Sequence, residues 1–475
     1  MVNGHSFISY CNRAVAVGLL LGLLIIGGCG SLVTRKEFYE PITAELRQGN
    51  YDEAVRQLEQ AREKNKFGKK DRFVYYVDAG LARHYAGGYD SSNARLTLAE
   101  DAAEELFTRS ISRAAVSLLL NDNALEYAGE DYEILYTNLI KALNFIALNE
   151  FDDAFVEIRR ANEKLEQLEI KYRKASDELN RGAAADTSRV AIEYAAEKVR
   201  FNNDALARYL SMHVYAADGQ YDDARIDRDW LARAFREQPH IYSFPMPEVK
   251  YIPDSGAILS VVGLAGLAPV KEALNLRLRT DKDLDLVQIF YTDPNGGETE
   301  YSHLPLPISE DFYFKFAIPQ LIDRPSLVGS IRVTANGTYL GQLSLLEDIG
   351  AVARETFGAK RSLIYLRSVA RAVAKGLAAH KLKQKADKKG ESDFAGWLKK
   401  ALIDVGTDLT ENADLRCSRL LPGRVFVGDF ELPPGEYDLT VEFVDRSGIT
   451  LDTITLENYR VLERGLNMIE AVSLK

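Results

Sequence analysis

One cysteine of the chain follows an apolar run and is preceded by small residues. The run covers residues 14–26 after the basic Arg13, and two glycines separate it from Cys29. A basic start, a short apolar core and small residues at the cut are the parts of a secretory signal. The apolar core is shorter than the roughly 20 residues that a transmembrane helix needs. The sequence therefore predicts a cleaved signal over residues 1–28 and Cys29 as the mature N-terminus.

The motif Ile26-Gly27-Gly28-Cys29 resembles the bacterial lipobox. In a lipobox the cysteine thiol is diacylated, the bond before it is cut, and the new amino group is acylated. Several acyl chains anchor a protein stably, whereas one chain anchors it only marginally. The resemblance implies a lipoprotein held on a membrane of the bacterial cell envelope through Cys29, with residues 29–37 as its tether. The residues after the cysteine, Gly30-Ser31, include no acid. By resemblance to enterobacterial lipoproteins, this favours sorting to the periplasmic face of the outer membrane.

Two alternatives to lipid attachment remain at this point: an ordinary cleaved signal and an uncleaved anchor, either of which happens to contain a cysteine. Beyond Cys29 no apolar run of the sequence reaches spanning length, so we expect a water-soluble body. Cys11 lies in the signal and Cys417 is left alone, so no disulfide is expected. Cys417 is predicted to be a small buried residue and not a nucleophile. The net charge of −11 argues against a nucleic-acid partner.

A short pattern recurs among the helix-forming residues of the N-terminal half. Its clear copies are residues 49–54, 149–154 and 219–224, and a weaker copy covers residues 87–90. Each copy has a glycine or asparagine, then an aromatic residue, then an acid, and the clear copies end in alanine. The glycine or asparagine can end the first helix in a left-handed conformation, and the aromatic ring packs back over the turn. The acid lies at the start of the next helix, where its negative charge interacts favourably with the helix dipole. The pattern predicts tight helical hairpins.

The pattern resembles the tetratricopeptide repeat, a helix-turn-helix unit of about 34 residues. The copies begin at 49, 87, 149 and 219, which is 38, 62 and 70 residues apart, so the array is irregular and carries extra helices such as residues 163–178. The resemblance implies a helical repeat domain over residues 38–238. An unrelated helical bundle is the alternative.

The repeat frame also predicts which side chains face a concave groove. Apolar side chains are many among them and basic ones are scarce, and an apolar groove of that size does not stay bare in water. Either a hydrophobic peptide or partner helix binds there, or inserted helices of the chain itself fill the groove. No cluster of ligands accompanies the two histidines, so no metal is expected. The candidate groove-binding residues are Tyr39, Arg47, His84, Tyr85, Tyr136, Tyr209 and His213.

Residues 239–255 are predicted to form a linker, because their prolines are incompatible with a helix. Beyond it, over residues 256–475, apolar residues alternate with polar ones, which predicts strands. Two groups of strands, separated by a helical insertion at about 349–409, favour a β-sandwich-like domain. Asn336-Gly337 predicts a hairpin turn. The predicted strands are residues 258–262, 274–278, 286–291, 312–318, 330–333, 424–430, 437–444, 449–454 and 467–472.

The helical insertion combines a basic face with an apolar one. Basic residues recur from Lys360 to Lys385, and apolar residues recur from Leu363 to Leu377. Such a helix could lie on anionic lipid. Packing against the sandwich is favoured, because the apolar residues are mostly small.

The motif Leu432-Pro433-Pro434-Gly435-Glu436-Tyr437 predicts a corner between two strands. Pro434 fixes φ at about −65°, and Gly435 can take a positive φ. We expect Tyr437 to begin the next strand, to bury its ring and to hydrogen-bond nearby backbone, similar to the tyrosine corner of immunoglobulin-like sandwiches.

The whole chain resembles a family of bacterial lipoproteins that join a lipobox signal, irregular tetratricopeptide-like repeats and a β-rich C-terminal region. The resemblance implies a multidomain α + β fold. No catalytic residues are known for the family, so none is carried over. Relatives often accompany lipoproteins that activate peptidoglycan synthases. The motifs that carry the resemblance are Tyr132-Glu133, Tyr136, Leu143-Asn144, residues 266–271, Ala413-Asp414-Leu415-Arg416, Leu420-Leu421-Pro422 and residues 432–437.

Three classes of function are compatible with this sequence. The first is a lipid-tethered, non-enzymatic scaffold or adaptor that binds envelope proteins or peptidoglycan through its repeats. The second is an assembly or pilot factor that captures a client in the apolar groove. The third is a glycan-acting hydrolase using acids such as Asp311 or Asp414, which is disfavoured because two carboxylates can be found in any acidic protein. We expect the scaffold, with no cofactor and no nucleic acid.

Overall fold

The computed structural model describes residues 36–68, 70–113, 126–185, 200–292, 297–305, 311–358 and 413–475, with eight residues between 360 and 373. Within them the fold is mixed α + β, with helices in the N-terminal half and antiparallel-rich sheets in the C-terminal region. The predicted signal, Cys29, the tether up to residue 35 and residues 374–412 of the predicted insertion lie outside the described residues. None of the described helices has the length and apolarity that membrane crossing needs.

The helices lie in four hairpins that follow a short 3-10 turn, Lys36–Phe38. The first hairpin is α1 (Tyr39–Gln48) with α2 (Tyr51–Glu63), and the second is α3 (Arg72–Tyr85) with α4 (Tyr89–Arg113). The third is α5 (Asp131–Ala147) with α6 (Phe151–Ala185), and the fourth is α7 (Ala205–Ala217) with α8 (Tyr221–Glu237). All four predicted hairpins are therefore confirmed.

The turns of the hairpins have the backbone conformation that the recurring pattern predicts. Gly49, Gly87, Asn149 and Gly219 take left-handed φ angles of 80°, 74°, 61° and 75°. A left-handed residue lets the last carbonyls of the first helix be satisfied while the chain reverses. The next helix begins two residues later at the aromatic residue in every copy. The alanine that closes each clear copy is fully buried.

The strands form three four-stranded sheets in the described part of the chain. The first sheet has the order β12-β1-β9-β8, the second β11-β10-β6-β7 and the third β4-β3-β2-β5. The β1–β12 pair is parallel and the other pairs are antiparallel. The strands are β1 (Ala257–Leu267), β2 (Val270–Asp281), β3 (Leu286–Thr292), β4 (Glu298–Pro305), β5 (Tyr313–Ile322), β6 (Val328–Ala335), β7 (Thr338–Gln342), β8 (Ser344–Asp348), β9 (Pro422–Leu432), β10 (Gly435–Asp445), β11 (Thr450–Val461) and β12 (Asn467–Ser473).

The first sheet is buried on both faces, because alternate side chains of β1 enter two different cores. Leu259 and Val261 point into a core shared with the second sheet. Val262 and Leu264 join the core that also holds the buried faces of the helices. Successive side chains of a strand point to opposite faces, so one strand supplies both cores. The helices, the first sheet and the second sheet therefore stack as three layers.

The described part of the predicted insertion packs against the third sheet. Val369, Ala372 and Val373 lie in one core with Leu276 of β2 and Ile289 of β3. Residues 349–358 form a helical segment that leads into it. The insertion was predicted to pack on the sandwich; these residues do pack on strands, but on the third sheet and not on the two sheets that share a core.

The predicted corner between β9 and β10 is confirmed in part. Tyr437 donates a hydrogen bond from its hydroxyl to Pro433 O at 2.8 Å, and its ring is half-buried against the core of the first two sheets. The expected positive φ at Gly435 is wrong, because Gly435 is not among the residues with positive φ. The two prolines and the tyrosine hydrogen bond are enough to turn the chain here.

Candidate functional site at the junction of helices and strands

Six of the seven candidate groove residues are buried, and five of the six contact the C-terminal region directly. Arg47 alone is exposed, in the last turn of α1. Among the described residues, an extended segment and one face of a sheet cover these side chains, so the chain itself covers the predicted groove residues. The six buried residues are Tyr39, His84, Tyr85, Tyr136, Tyr209 and His213.

The extended segment that enters the groove is residues 413–421, which form neither helix nor strand. Tyr85 of α3 donates a hydrogen bond to Leu420 O at 2.7 Å. The backbone N–H of Ser418 donates to Glu133 Oε1 of α5 at 2.5 Å. Side chains of the helices thus satisfy backbone groups of the segment, which burial would otherwise leave unpaired at a cost. We call residues 413–421 the groove segment.

Asp78 of α3 holds the middle of the groove segment. Its carboxylate accepts from Ser418 Oγ at 2.6 Å, from Arg419 N at 3.1 Å and from Tyr39 OH at 2.6 Å. Burial raises the pKa of Asp78 to about 6, although all of these donors favour the ionised form. The desolvation of a carboxylate is thus only partly offset by its hydrogen bonds.

Glu133, in the first turn of α5, is the second buried acid that binds the groove segment. Its Oε2 accepts from Tyr127 OH at 2.6 Å and from Glu130 N at 2.7 Å. The second of these bonds belongs to a capping box at the start of the helix. Burial raises the pKa of Glu133 to about 7, and the positive charge of Lys271 opposes that rise. The side chain therefore titrates near neutral pH.

Lys271 of β2 is a fully buried lysine that pairs with the neighbouring acid. Its Nζ bonds Glu130 Oε1, and Glu130 Oε2 lies 2.9 Å from Lys360 Nζ. Burial opposes the charge of Glu130, but Lys271 and Lys360 outweigh it and lower the pKa of Glu130 to about 2. Three separate parts of the chain, namely α5, β2 and the insertion, meet in this ion pair.

Arg416 of the groove segment forms a second ion pair with the helices. Its Nε and Nη2 donate to the two oxygens of Asp414 at 2.8 Å each, and its Nη1 lies 3.1 Å from Asp71 Oδ1. The fork of a guanidinium matches a carboxylate in this two-point geometry. Cys417 beside it is buried, and burial raises the pKa of its thiol. The thiol therefore has the environment of a structural cysteine, as the sequence predicted.

His84 of α3 joins the helices to the edge strand β12. Asn144 Nδ2 donates to Ser92 Oγ at 2.9 Å and to Asn93 Oδ1 at 2.8 Å, so its amide oxygen faces His84 Nδ1 at 2.6 Å. Nδ1 must therefore carry a proton. Nε2 lies 2.9 Å from Glu470 Oε1. Burial opposes a charge on this ring, but Glu470 outweighs it and raises the pKa of His84.

Ser260, His213 and Asp429 have the residue types of a nucleophilic triad, but their geometry is different. His213 Nδ1 lies 3.3 Å from Ser260 Oγ, and Nε2 lies 3.2 Å from Asp429 Oδ1. Ser260 Oγ donates directly to the same carboxylate oxygen at 2.8 Å, and Tyr209 OH donates to it at 2.7 Å. A triad needs its histidine to take the hydroxyl proton. Here the carboxylate takes that hydrogen bond, so the cluster is a buried polar node.

A second pair of buried acids lies where α7 meets β8. Asp204 caps α7 by accepting from Ala207 N at 2.7 Å, and Glu347 Oε2 accepts from Tyr242 OH at 3.0 Å. Burial raises the pKa of both carboxyls, and the like charge of Asp204 raises that of Glu347 further. Tyr136 OH, one of the candidate groove residues, donates to Asp204 Oδ2 at 3.3 Å.

A cavity of about 430 Å³ opens to solvent beside the polar node. Its walls are the turn between α7 and α8, the residues that precede β1 and the turn between β11 and β12. Tyr221 and Tyr251 stand at its rim, and His213 and Ser260 form part of its floor. Its volume falls within the range of pockets that hold small ligands. No group of three or more histidine, cysteine or acidic side chains among the described residues could hold a metal ion.

The polar interface between the helices and the strands was not predicted from the sequence, although several of its residues lie in motifs named above. Glu133, Asn144, Lys271, Asp414 and Arg416 all lie in motifs that carried the resemblance, and the fold brings them to one interface. Their signal in the sequence was a charged residue within an otherwise apolar stretch, such as Lys271 after the run that ends at Val270. Asp78 carries the same signal, because it stands alone between the apolar residues 73–77 and 79–82, but it was not selected.

Comparison with known proteins does not extend this description, because no family model matches the chain and no curated protein is similar to it.

Proposed function

We propose that the protein is a lipid-anchored scaffold of a bacterial envelope. Acyl chains on Cys29 hold it on the periplasmic face of the outer membrane, and its folded body binds envelope proteins or peptidoglycan. The association of similar lipoproteins with peptidoglycan synthesis makes the machinery of cell-wall growth the expected setting. This role requires binding surfaces and no catalytic group.

The observation that carries the proposal is the filling of the groove by the chain itself. With the groove segment and the first sheet on the concave side, partners are left with the outer surfaces of the helices and strands. The outer surface of α8 is the clearest of these surfaces, because Ile226 and Trp230, which lie one turn apart, are exposed there. Charged residues surround them, as at the rim of many protein interfaces.

We also propose that the helical hairpins form an irregular tetratricopeptide-like array and that the first two sheets form a β-sandwich with a helical insertion. The left-handed turn residues and the buried alanines of the hairpins support the first assignment. The core shared by the two sheets supports the second. Both assignments refine the mixed α + β fold described above.

Capture of a client in the groove is less well supported. Tyr85, Tyr209 and His213 would have to lose their partners in the C-terminal region before a client could contact them. Each lost hydrogen bond would leave a buried polar group unpaired, which costs about 1–3 kcal/mol. A client would therefore compete with a segment of the same chain.

Site-specific photocrosslinking in intact cells separates these two functions. A photoreactive phenylalanine analogue at Ile226 samples the outer face of α8, and one at Tyr85 samples the groove. The scaffold predicts adducts with envelope proteins or glycan from position 226 and only an internal adduct with the groove segment from position 85. The exposed Ile449, in the turn between β10 and β11, serves as the control for random collisions. A separate polypeptide captured at position 85, with no adduct at position 226, would favour the client-binding function instead.

A further inference from the structure

The connection between α2 and α3 concentrates positive charge in an acidic protein. Residues 62–72 contain six basic residues and two acidic ones, whereas the whole chain has a net charge of −11. Arg62, Lys64 and Lys66 are exposed, and Lys70 is half-buried. No ion pair within the described part of the chain engages Lys64 or Lys66. We call Arg62, Lys64, Lys66 and Lys70 the basic loop.

The backbone of the basic loop is fixed by hydrogen bonds. Lys66 N donates to Ala61 O at 2.9 Å, and Asn65 takes a left-handed φ of 51° that reverses the chain after α2. On the far side Tyr127 N donates to Lys70 O at 2.9 Å. The lysines therefore project from a defined turn, and their charges occupy a fixed place on the body.

The same loop lies where the described chain begins. Phe67 packs edge-on against Phe38 with ring centroids 5.0 Å apart and against Tyr39 at 6.0 Å. Six residues separate Cys29 from Lys36. Even when fully extended, a stretch of that length spans at most roughly 25 Å. The basic loop thus lies within a short reach of Cys29 and of any membrane that Cys29 enters.

We propose that the basic loop contacts anionic phospholipid headgroups of the membrane that holds Cys29 and thereby orients the body on that membrane. The proposal rests on the proposed lipid anchor. An ammonium group is a hydrated point charge that attracts headgroup phosphates without a fixed geometry. Each such contact is weak and screened by salt. Weak contacts suffice here, because the acyl chains already hold the protein and the charges only select which side faces the bilayer.

The described residues of the basic insertion are less suited to contact a membrane than the basic loop. Lys360 is already paired with the buried Glu130, and Val369 and Val373 pack against the third sheet. The apolar face that would enter lipid is therefore used inside the protein. The basic loop, in contrast, keeps Lys64 and Lys66 in solvent beside the tether.

Lysine acetylation footprinting of the full lipidated chain on vesicles tests the proposal. The chain is floated with vesicles of pure phosphatidylcholine or of a 3:1 mixture with phosphatidylglycerol, and acetylation rates are read by mass spectrometry. We expect Lys64 and Lys66 to react at least about fivefold more slowly on the anionic vesicles, as one charge contact of ordinary strength predicts. High salt should remove the difference. Lys282 and Lys315, exposed lysines of the third sheet region, are the internal control and should react equally on both.

A matched pair of variants locates the effect. In Lys64→Gln/Lys66→Gln, protection of the remaining Lys70 should fall to its value on neutral vesicles, whereas Lys282→Gln/Lys315→Gln should retain it. A chain that floats but shows equal rates for Lys64 and Lys66 on both vesicles would overturn the contact of the basic loop alone. A chain that floats with neither vesicle would overturn the lipid anchor and, with it, this proposal.

Discussion

Lys271 is the residue on which the charge balance of the junction depends most. It is 2% exposed and is bonded to the buried Glu130, with Glu133 close enough for its charge to matter. Removing one partner of a buried ion pair leaves the other charge uncompensated, which costs about 3–5 kcal/mol. Because Lys360 still pairs with Glu130, Lys271→Ala should lower the free energy of unfolding by up to that amount, as measured by denaturant titration.

Lys250 provides the matched control for that substitution. It also pairs with a glutamate, at 3.1 Å from Glu431, but its side chain is 41% exposed. Water and salt screen such a pair, so Lys250→Ala should change the stability far less. Equal losses for the two alanine variants would mean that Lys271 does not lie in the apolar surroundings described here.

The raised pKa values of the junction predict how stability depends on pH. Asp78, with a pKa of about 6, and Glu133, with a pKa of about 7, bind protons more tightly in the folded state than in the unfolded state. The unfolding free energy must then fall as pH rises from about 5 to 8. His84 acts in the same direction, because its raised pKa gives a contribution that is lost as pH rises through that value. Chemical denaturation at several pH values should show this decline.

Under acidic conditions the free energy of unfolding should instead rise with pH. Glu130 and Glu100 both have a pKa lowered to about 2 in the folded state. Their contribution to stability is therefore fully present above the pKa of the unfolded state and is lost as the pH falls from there towards the folded-state pKa. Stability should therefore peak at about pH 5. Asp78→Asn should flatten the decline between pH 5 and 7, because the titrating carboxyl is gone. Stability that increases from pH 5 to 8 would contradict the buried carboxyls.

At the scale of single elements, one substitution in a helical hairpin tests how closely its two helices pack. Ala154 lies in the first turn of α6 and is fully buried, whereas its neighbour Asp153 is exposed. A larger side chain at a close contact between helices overpacks it at a cost of about 1–3 kcal/mol. Ala154→Leu should lower the melting temperature clearly, and Asp153→Ala should change it little. Equal effects would place the contact between the helices elsewhere.

The corner between β9 and β10 makes a second test at this scale. Tyr437→Phe removes the hydrogen bond to Pro433 O and should cost roughly 1 kcal/mol, the usual net contribution of one such bond. Tyr437→Ala should cost more, because it also removes the half-buried ring. Tyr339→Phe is the control, since Tyr339 is 59% exposed on β7. An unchanged melting temperature in Tyr437→Ala, with lost binding to an envelope partner, would make this corner a binding site.

Much of the architecture of these elements could be predicted from local sequence. The four hairpins follow from a left-handed residue, an aromatic residue and an acid in fixed order, and each predicted strand is present. β4 and β8 were not predicted, and β7 was predicted only through the hairpin turn at Asn336-Gly337, which is confirmed. β7 is a short edge strand whose residues are exposed or half-buried, so apolar alternation could not reveal it. Local patterns report burial, and elements without a buried face leave no pattern.

At the scale of the whole molecule, the arrangement could not be read from the sequence. Which strands cover the groove depends on contacts between residues more than 300 positions apart, such as Tyr85 with Leu420. Periodicity within a window carries no information on such pairs. The groove segment, which covers the buried candidate residues, contains charged residues and has the sequence of a loop, so its burial could not be predicted.

The central claim is that Cys29 carries the lipid that places this body on a membrane. Metabolic labelling with a radioactive fatty acid, followed by membrane fractionation, tests it most directly. We expect the wild-type chain and Cys11→Ala both to be labelled and to sediment with the outer membrane, because Cys11 lies in the predicted signal. Cys29→Ala should lose the label. A Cys29→Ala chain that keeps its label, or a wild-type chain that never acquires one, would contradict the account.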